Sequence, residues 1–288
     1  MKNLFKKYHL KPNKRLGQNF LISQKVLRRI IQTAELSKKD IVLEIGPGLG
    51  ALTQELAQRA KKVIAVEKDK RMVEILKNTL KDHQNIEIIH GDILKLFRNK
   101  RHALFATSLL EKGCSKKGVP LGRYKLVANI PYYLTSPLIR LFLELKTPPQ
   151  EMILLIQKEV AQRICAKPPK MSLLAIAVQF YSQPKIISYV SKKSFWPQPK
   201  VDSAIIKIGQ IKKPKNINQE KFFRIVKAGF ASPRKQLANN LSQKLNLAQR
   251  EIKKALTQCH LDIQVRAENL SVEDWLELFH HFHRSKSP

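Results

Sequence analysis

The sequence predicts an α/β protein in two parts. The larger, over residues 1–212, is built on a mostly parallel sheet with an antiparallel hairpin at one end, and the smaller, over residues 213–288, is all helical. Three observations lead there. Short apolar runs alternate with helical periods through most of the first two hundred residues, as in consecutive β/α units. The run Ile41–Ile45 ends in Gly46-Pro47-Gly48-Leu49-Gly50 before Leu52, Leu56 and Ala60 set a helical period, which is strand, glycine loop, helix. Beyond Lys212-Lys213-Pro214-Lys215-Asn216 the composition changes, and the remainder reads as helices.

Charge narrows the partners. Lys and Arg number 54 against 22 Asp and Glu, a net charge of +32 that points to a polyanion. A membrane role has no support: the apolar runs at 152–156 and 173–178 fall well short of the roughly 18 residues a bilayer demands, and the basic N-terminus carries no apolar core of a secretory signal. Cys114, Cys165 and Cys259 are odd in number and far apart, which fits neither a disulfide framework nor a zinc spacing, so a reducing cytoplasm and no metal are expected. His280, His281 and His283 read as a solvated helix end.

In chain order, residues 1–15 carry lysines and no acid, an arm that touches phosphate or is merely mobile. Leu16-Gly17-Gln18-Asn19-Phe20-Leu21 follows, then Ser23, whose hydroxyl suits the cap of a helix with Val26, Leu27, Ile30 and Ile31 on one face. After the glycine loop comes Val63-Ile64-Ala65-Val66, ending in Glu67. That carboxylate can accept both hydroxyls of a ribose. Because Gly46 to Ala51 also fits the dinucleotide pattern G-x-G-x-x-(G/A), loop and acid together imply an adenosine moiety, shared by NAD and S-adenosylmethionine. Ile86-Glu87-Ile88-Ile89 leads to His90-Gly91-Asp92, where a short acid at a strand end can accept from an adenine amino group. Between Asp92 and Asn129 lies a basic insertion, offering extra phosphate contacts or only a solubilising loop.

Leu126-Val127-Ala128-Asn129-Ile130-Pro131-Tyr132-Tyr133 is an apolar run that stops abruptly in an amide, a proline and two aromatics. A buried strand would deliver Asn129 to its carboxyl end, where ligands of open α/β sheets bind, and Pro131 would end the ladder there. These residues suit work on the exocyclic amine of a flat ring. The Asn129 side-chain oxygen and the Ile130 carbonyl can hold two N–H groups while Tyr132 lies against the ring. A helix starts at Ser136-Pro137-Leu138, a strand covers 151–156, and helices follow at 157–163 and 173–180. Strands at 185–190 and 204–208 flank Phe195-Trp196-Pro197-Gln198-Pro199-Lys200-Val201-Asp202-Ser203, an extended loop in which Trp196 is expected to pack in the core. Phe222, Phe223, Val226 and Phe230 mark one face of a later helix, and Ser271 with Glu273 and Asp274 begins the last.

Asn129-Ile130-Pro131-Tyr132 resembles the (N/D)-(P/I/L)-P-(Y/F/W) signature of adenine-N6 methyltransferases. With Thr135-Ser136-Pro137-Leu138 it is most similar to the small-subunit rRNA adenine dimethyltransferases. Gln18 to Leu21, Phe195 to Ser203 and the segment from Ser232 to Leu241 are similar to further motifs of that family in the same order, while a compressed 167–171, Pro233 and Gln236 depart from it. The resemblance implies a Rossmann-like methyltransferase domain with S-adenosylmethionine as donor, held by Asn19, Leu21, Gly46, Gly48, Glu67, Asp92 and Asn129. It assigns Asn129, Tyr132 and Phe195 to catalysis, the two rings closing on the base. It further implies two adjacent adenosines near the 3′ end of 16S rRNA as substrate, an RNA-binding helical domain, and a cytoplasmic monomer acting on the immature small subunit. Three alternatives stay open: a large-subunit enzyme like the Erm methyltransferases, an NAD oxidoreductase, and a non-catalytic RNA-binding assembly factor.

Overall fold

β-Branched runs bury themselves first. In the computed structural model, which describes residues 8, 12–13, 16–98 and 124–284, Ile41–Ile45 is buried at every position, as expected of a central strand covered on both faces. Most of the basic arm at 1–15, and residues 99–123 of the basic insertion between Asp92 and Asn129, lie outside the described residues. The strands are β1 (Phe20–Leu21), β2 (Ile41–Ile45), β3 (Lys62–Glu67), β4 (Ile86–His90), β5 (Tyr124–Asn129), β6 (Met152–Gln157), β7 (Gln183–Val190), β8 (Phe195–Trp196) and β9 (Ser203–Gly209). Among the described residues the main sheet runs β4-β3-β2-β5-β6-β9-β7. Its first five strands are parallel, whereas β9 lies antiparallel to β6, and β7 antiparallel to β9.

That order sets where a ligand can bind. From β2 the chain builds outward through β3 and β4, then returns to add β5 on the other side, so the connections diverge between β2 and β5 and open a crevice at their carboxyl ends. β1 and β8 pair antiparallel as a separate two-residue ribbon, Phe20 opposite Trp196 and Leu21 opposite Phe195.

Helices pack where their apolar faces dictate. α1 (Gln24–Ala34) starts at Ser23, whose Oγ accepts the Val26 N–H at 3.4 Å, and it buries Leu27, Ile30 and Ile31 against Val42, Val63, Val127, Ile153 and Ile205. At its far end the Lys125 Nζ donates to the Ala34 and Glu35 carbonyls at 2.8 and 3.1 Å, a cation at the negative pole of the helix. α2 (Ala51–Arg59), α3 (Lys70–Thr79), α4 (Ile93–Arg98) and α5 (Thr135–Glu144) complete the early β/α units, and α6 (Lys158–Ile164) and α7 (Leu173–Gln179) follow β6.

The chain divides into two compact units, and the division departs from the boundary read in the sequence. Residues 162–182, expected in the first domain, group with 212–288, leaving 1–161 and 183–211 as the sheet-bearing unit. The cause is aromatic packing at the end of α7. Phe180 stacks on Phe222 with ring centroids 4.4 Å apart, the Tyr181 hydroxyl donates to Gln219 Oε1 at 3.0 Å, and the Met171 N–H donates to the Glu268 carbonyl at 2.9 Å. The rest of that unit is α8 (Gln219–Gly229), α9 (Leu237–Leu245), α10 (Gln249–Gln258) and α11 (Val272–Arg284). Trp275 is fully buried there, and a Cβ on Gly229 would collide with its ring. Ser271 and Asp274 cap α11 reciprocally: Ser271 Oγ accepts the Asp274 N–H at 3.1 Å and Asp274 Oδ2 accepts the Ser271 N–H at 2.8 Å.

Candidate active site

The crevice between β2 and β5 deepens into a cavity of the sheet-bearing unit. All nine residues that the sequence singles out line it: Asn19, Leu21, Gly46, Gly48, Glu67, Asp92, Asn129, Tyr132 and Phe195. They come from six places in the chain, four of them at the carboxyl ends of the parallel strands β2, β3, β4 and β5 and two at the β1–β8 ribbon.

The glycine loop forms one wall. Gly48 has φ +58, a backbone that side chains rarely adopt, and a Cβ there would lie 3.2 Å from the Phe20 ring packed over it. The α2 N-terminus follows at Gly50 without a side-chain cap, and Ala51 and Leu52 lie in the cavity lining. Glu67 holds the loop in place. Its Oε2 accepts the Gly48 N–H at 3.2 Å, and its Oε1 accepts the Lys68 and Asp69 N–H groups, both at 2.8 Å. Burial pushes the Glu67 carboxyl above its ordinary value even against these donors.

Three consecutive residues at the end of β3 therefore reach three different walls. Glu67 turns back to the loop, Lys68 crosses to Asp92 with Nζ 2.9 Å from Oδ2, and Asp69 accepts from Gln18 Nε2 at 3.0 Å. Asp92 also accepts the Leu94 N–H at 3.0 Å on Oδ1. Burial opposes its ionisation, but Lys68 and the backbone amides of Leu94 and Lys95 hold its carboxyl below the ordinary value, so it stays a charged acceptor.

On the β5 side, the Asn129 Nδ2 donates to the Asn19 carbonyl at 3.1 Å, which joins strand end to N-terminal segment and leaves Oδ1 as the acceptor side of the amide. The Tyr132–Leu134 turn follows Pro131, and the Tyr132 hydroxyl is bonded to Ser203 Oγ on β9 at 2.9 Å. Tyr132 is half-buried, whereas Tyr133 is 52% exposed. Phe195 lines the cavity from within the core, beside Leu21 and Leu27. Its neighbour Trp196, expected to pack, is 41% exposed, because alternation along the two-residue ribbon sends the next side chain outward.

Glu44 belongs to no motif of the sequence yet reaches the cavity. It sits inside the buried run of β2, is 1% exposed, lines the cavity, and its Oε2 makes no hydrogen bond. Burial pushes its carboxyl up to about 8, with Thr53 working against that and Glu67 with it. An acid in the middle of Ile-Val-Leu-Glu-Ile was the available signal, since an apolar strand has no structural use for one. Lys68 and Asp69 were equally unmarked, their roles depending on partners distant in sequence.

Comparison with known proteins identifies the family. A family model described as ribosomal RNA adenine dimethylase matches residues 9–284. The ribosomal RNA small subunit methyltransferase A of Dehalococcoides mccartyi (strain CBDB1) is 44% identical over 279 residues, covering 96% of this chain and 90% of that protein. Its namesake from Alkaliphilus oremlandii is 41% identical over 279 residues, covering 95% and 93%. Among solved structures, a dimethyladenosine transferase from Plasmodium falciparum superposes with a TM-score of 0.72 at 27% identity, covering 92% of this chain and 98% of that one. The 23S rRNA methyltransferase ErmE gives 0.70 at 28%, covering 92% and 100%. With the glycine loop, the acids of β3 and β4 and the Asn-Ile-Pro-Tyr strand end converging on one cavity, and with the match running through nearly the whole sequence, the chain belongs to the ribosomal RNA adenine dimethylase family.

Proposed function

We propose that the protein transfers methyl groups from S-adenosylmethionine to N6 of two adjacent adenosines near the 3′ end of 16S rRNA, giving N6,N6-dimethyladenosine during small-subunit biogenesis. The observation that carries this is Asn129. Its amide is oriented by Asn19 at the rim of a cavity whose other walls suit an adenosine-containing donor.

The cavity fits that donor in its own chemistry. Gly48 lets the loop lie close under the Phe20 ring in the cavity wall, Glu67 presents a carboxylate toward the position a ribose would occupy, and Asp92 is held ionised to accept from an adenine amine. Asn19 and Leu21 cover the opposite side, from the N-terminal segment. Bound there, S-adenosylmethionine would supply an electrophilic methyl carbon on a positively charged sulfur.

The chain's own residues then act on the acceptor. A target adenine leaves its stack, at a cost of a few kcal/mol, and enters beside Tyr132 and Phe195. Asn129 Oδ1 and the Ile130 carbonyl accept its two N–H groups, which directs the nitrogen lone pair, and positioning of this kind supplies most of the acceleration. A monomethylated amine keeps one N–H, so a single acceptor serves the second transfer. The net charge of +32 suits rRNA, and no described helix is long and apolar enough to cross a membrane. The working form is a cytoplasmic monomer that uses its helical unit to hold RNA and needs no metal.

Mass spectrometry of nucleosides from 16S rRNA or immature small subunits, after incubation with isotopically labelled donor, tests the proposal. Labelled dimethyladenosine is expected, and Asn129→Ala should abolish it while RNA affinity stays near that of the unaltered chain. Label in 23S rRNA instead would move the protein to the ErmE-like reading, which the small-subunit names of relatives at 41–44% identity count against.

A further inference from the structure

Two tyrosines follow Pro131, and they differ in how far they leave solvent. Tyr132 turns inward and is tied to Ser203. Tyr133, in the same short turn, also lines the cavity but leaves 52% of its surface in solvent, so it stands at the mouth. Its ring is backed rather than loose. A Cβ built on Gly17, itself at φ +62, would lie 3.5 Å from the ring and 3.6 Å from the Pro131 side chain, so the N-terminal segment and the proline together form a bed for it.

A cation stands close by. Lys68 lines the same cavity, its side chain 48% exposed, and Asp92 holds its ammonium above the ordinary value, with Tyr133 adding to this through space. An aromatic ring fixed at a cavity mouth beside a charged amine has the makings of a single-strand nucleic-acid site, where a base stacks on the ring and the cation faces the backbone.

We propose that Tyr133 is the stacking platform for the nucleotide next to the flipped adenine, with Lys68 facing the phosphate that joins the two. The inference rests on the adenine-transfer reading and deepens it. Consecutive Cα atoms are about 3.8 Å apart, so the inward and outward rings are rigidly offset within one turn. A strand that delivers one base beside Tyr132 then brings its neighbour to Tyr133. The substrate preference this creates is for an unpaired purine next to the target, since a larger ring stacks better. A pair of adjacent adenosines satisfies it when the first of the two is in the slot and the second follows it onto Tyr133.

The test uses the full chain, S-adenosylhomocysteine and a single-stranded RNA in which 2-aminopurine follows one adenosine. Stacking of 2-aminopurine on an aromatic ring quenches its emission, and the base has no 6-amino group to be methylated. The unaltered protein should quench the probe on binding, Tyr133→Phe should keep the quench, and Tyr133→Ala should lose it and bind the RNA roughly tenfold more weakly. Retained affinity for S-adenosylhomocysteine shows that Tyr133→Ala is folded around the donor cavity. Equal quenching by Tyr133→Ala and the unaltered chain, or no quench by either, overturns the proposal. Methyl transfer to an all-adenosine version of the same RNA is measured in parallel: its absence in the unaltered protein sinks the adenine-transfer reading itself, whereas transfer without a Tyr133 effect on quenching sinks the platform alone.

Discussion

Replacing Glu44 with glutamine should make the protein less sensitive to alkali. The Glu44 carboxyl is raised from an ordinary value of 4.5 to about 8 by burial in β2. In the folded chain it therefore keeps a proton that the unfolded chain releases, so its contribution is present in full below about 4.5 and is lost as pH rises toward 8. Each pH unit inside that window is worth about 1.4 kcal/mol, so the window as a whole bounds the loss at on the order of 5 kcal/mol. Between about pH 5 and about pH 8 the expected loss is on the order of 3 kcal/mol. Glutamine is isosteric and does not titrate there. Urea unfolding of both proteins at a series of pH values, followed by circular dichroism, reads the difference, and the groups that do not interact with Glu44 cancel. Wild type should fall relative to Glu44→Gln by that amount as the pH is raised. Parallel stability curves would show that the carboxylate is solvated or paired and would refute the reasoning.

Two further outcomes follow from specific bonds. Tyr132→Phe keeps the ring but strips the fully buried Ser203 of the hydroxyl 2.9 Å away, so thermal or urea melts should register a loss of about 1–2 kcal/mol. A loss of transfer to match that of Tyr132→Ala would mean that the hydroxyl, rather than the ring, does the work. In the helical unit, Asn240 is 1% exposed and its Nδ2 donates to the Gly229 and Ser232 carbonyls at 2.6 and 3.0 Å. Asn240→Ala leaves both acceptors without that donor and should cost roughly 2–3 kcal/mol in urea unfolding. A change below about 0.5 kcal/mol, the size of an ordinary surface substitution, would show that water replaces the amide.

Local signals were legible in the sequence where local physics decides the structure. The glycine loop between a β-branched run and a helical period could be read directly, as could Ser23 and Ser271 as caps, because each depends on neighbours a few residues away. The cavity residues were found because strand ends carry unusual side chains: Glu67, Asp92 and Asn129 each terminate or follow an apolar run. What could not be read depends on distant pairing. Phe20–Leu21 is too short to announce itself as a strand, and only its partner in β8 makes it one. Trp196 was expected inside because tryptophan usually packs, but the register with Phe20 turns it outward. The grouping of 162–182 with the C-terminal helices follows from Phe180 meeting Phe222, a contact that no periodicity encodes.

The β1–β8 ribbon has a consequence for how the protein comes into being. Its two strands are donated by residues 20–21 and 195–196, so the cover of the donor cavity needs parts made early and late in synthesis. A nascent chain that has emerged only as far as Asn129 owns the glycine loop, Glu67 and Asp92, yet Leu21 still has no Phe195 to pair with. The cavity is thereby completed only when nearly the whole sheet has been made, since its cover waits on residues 195–196.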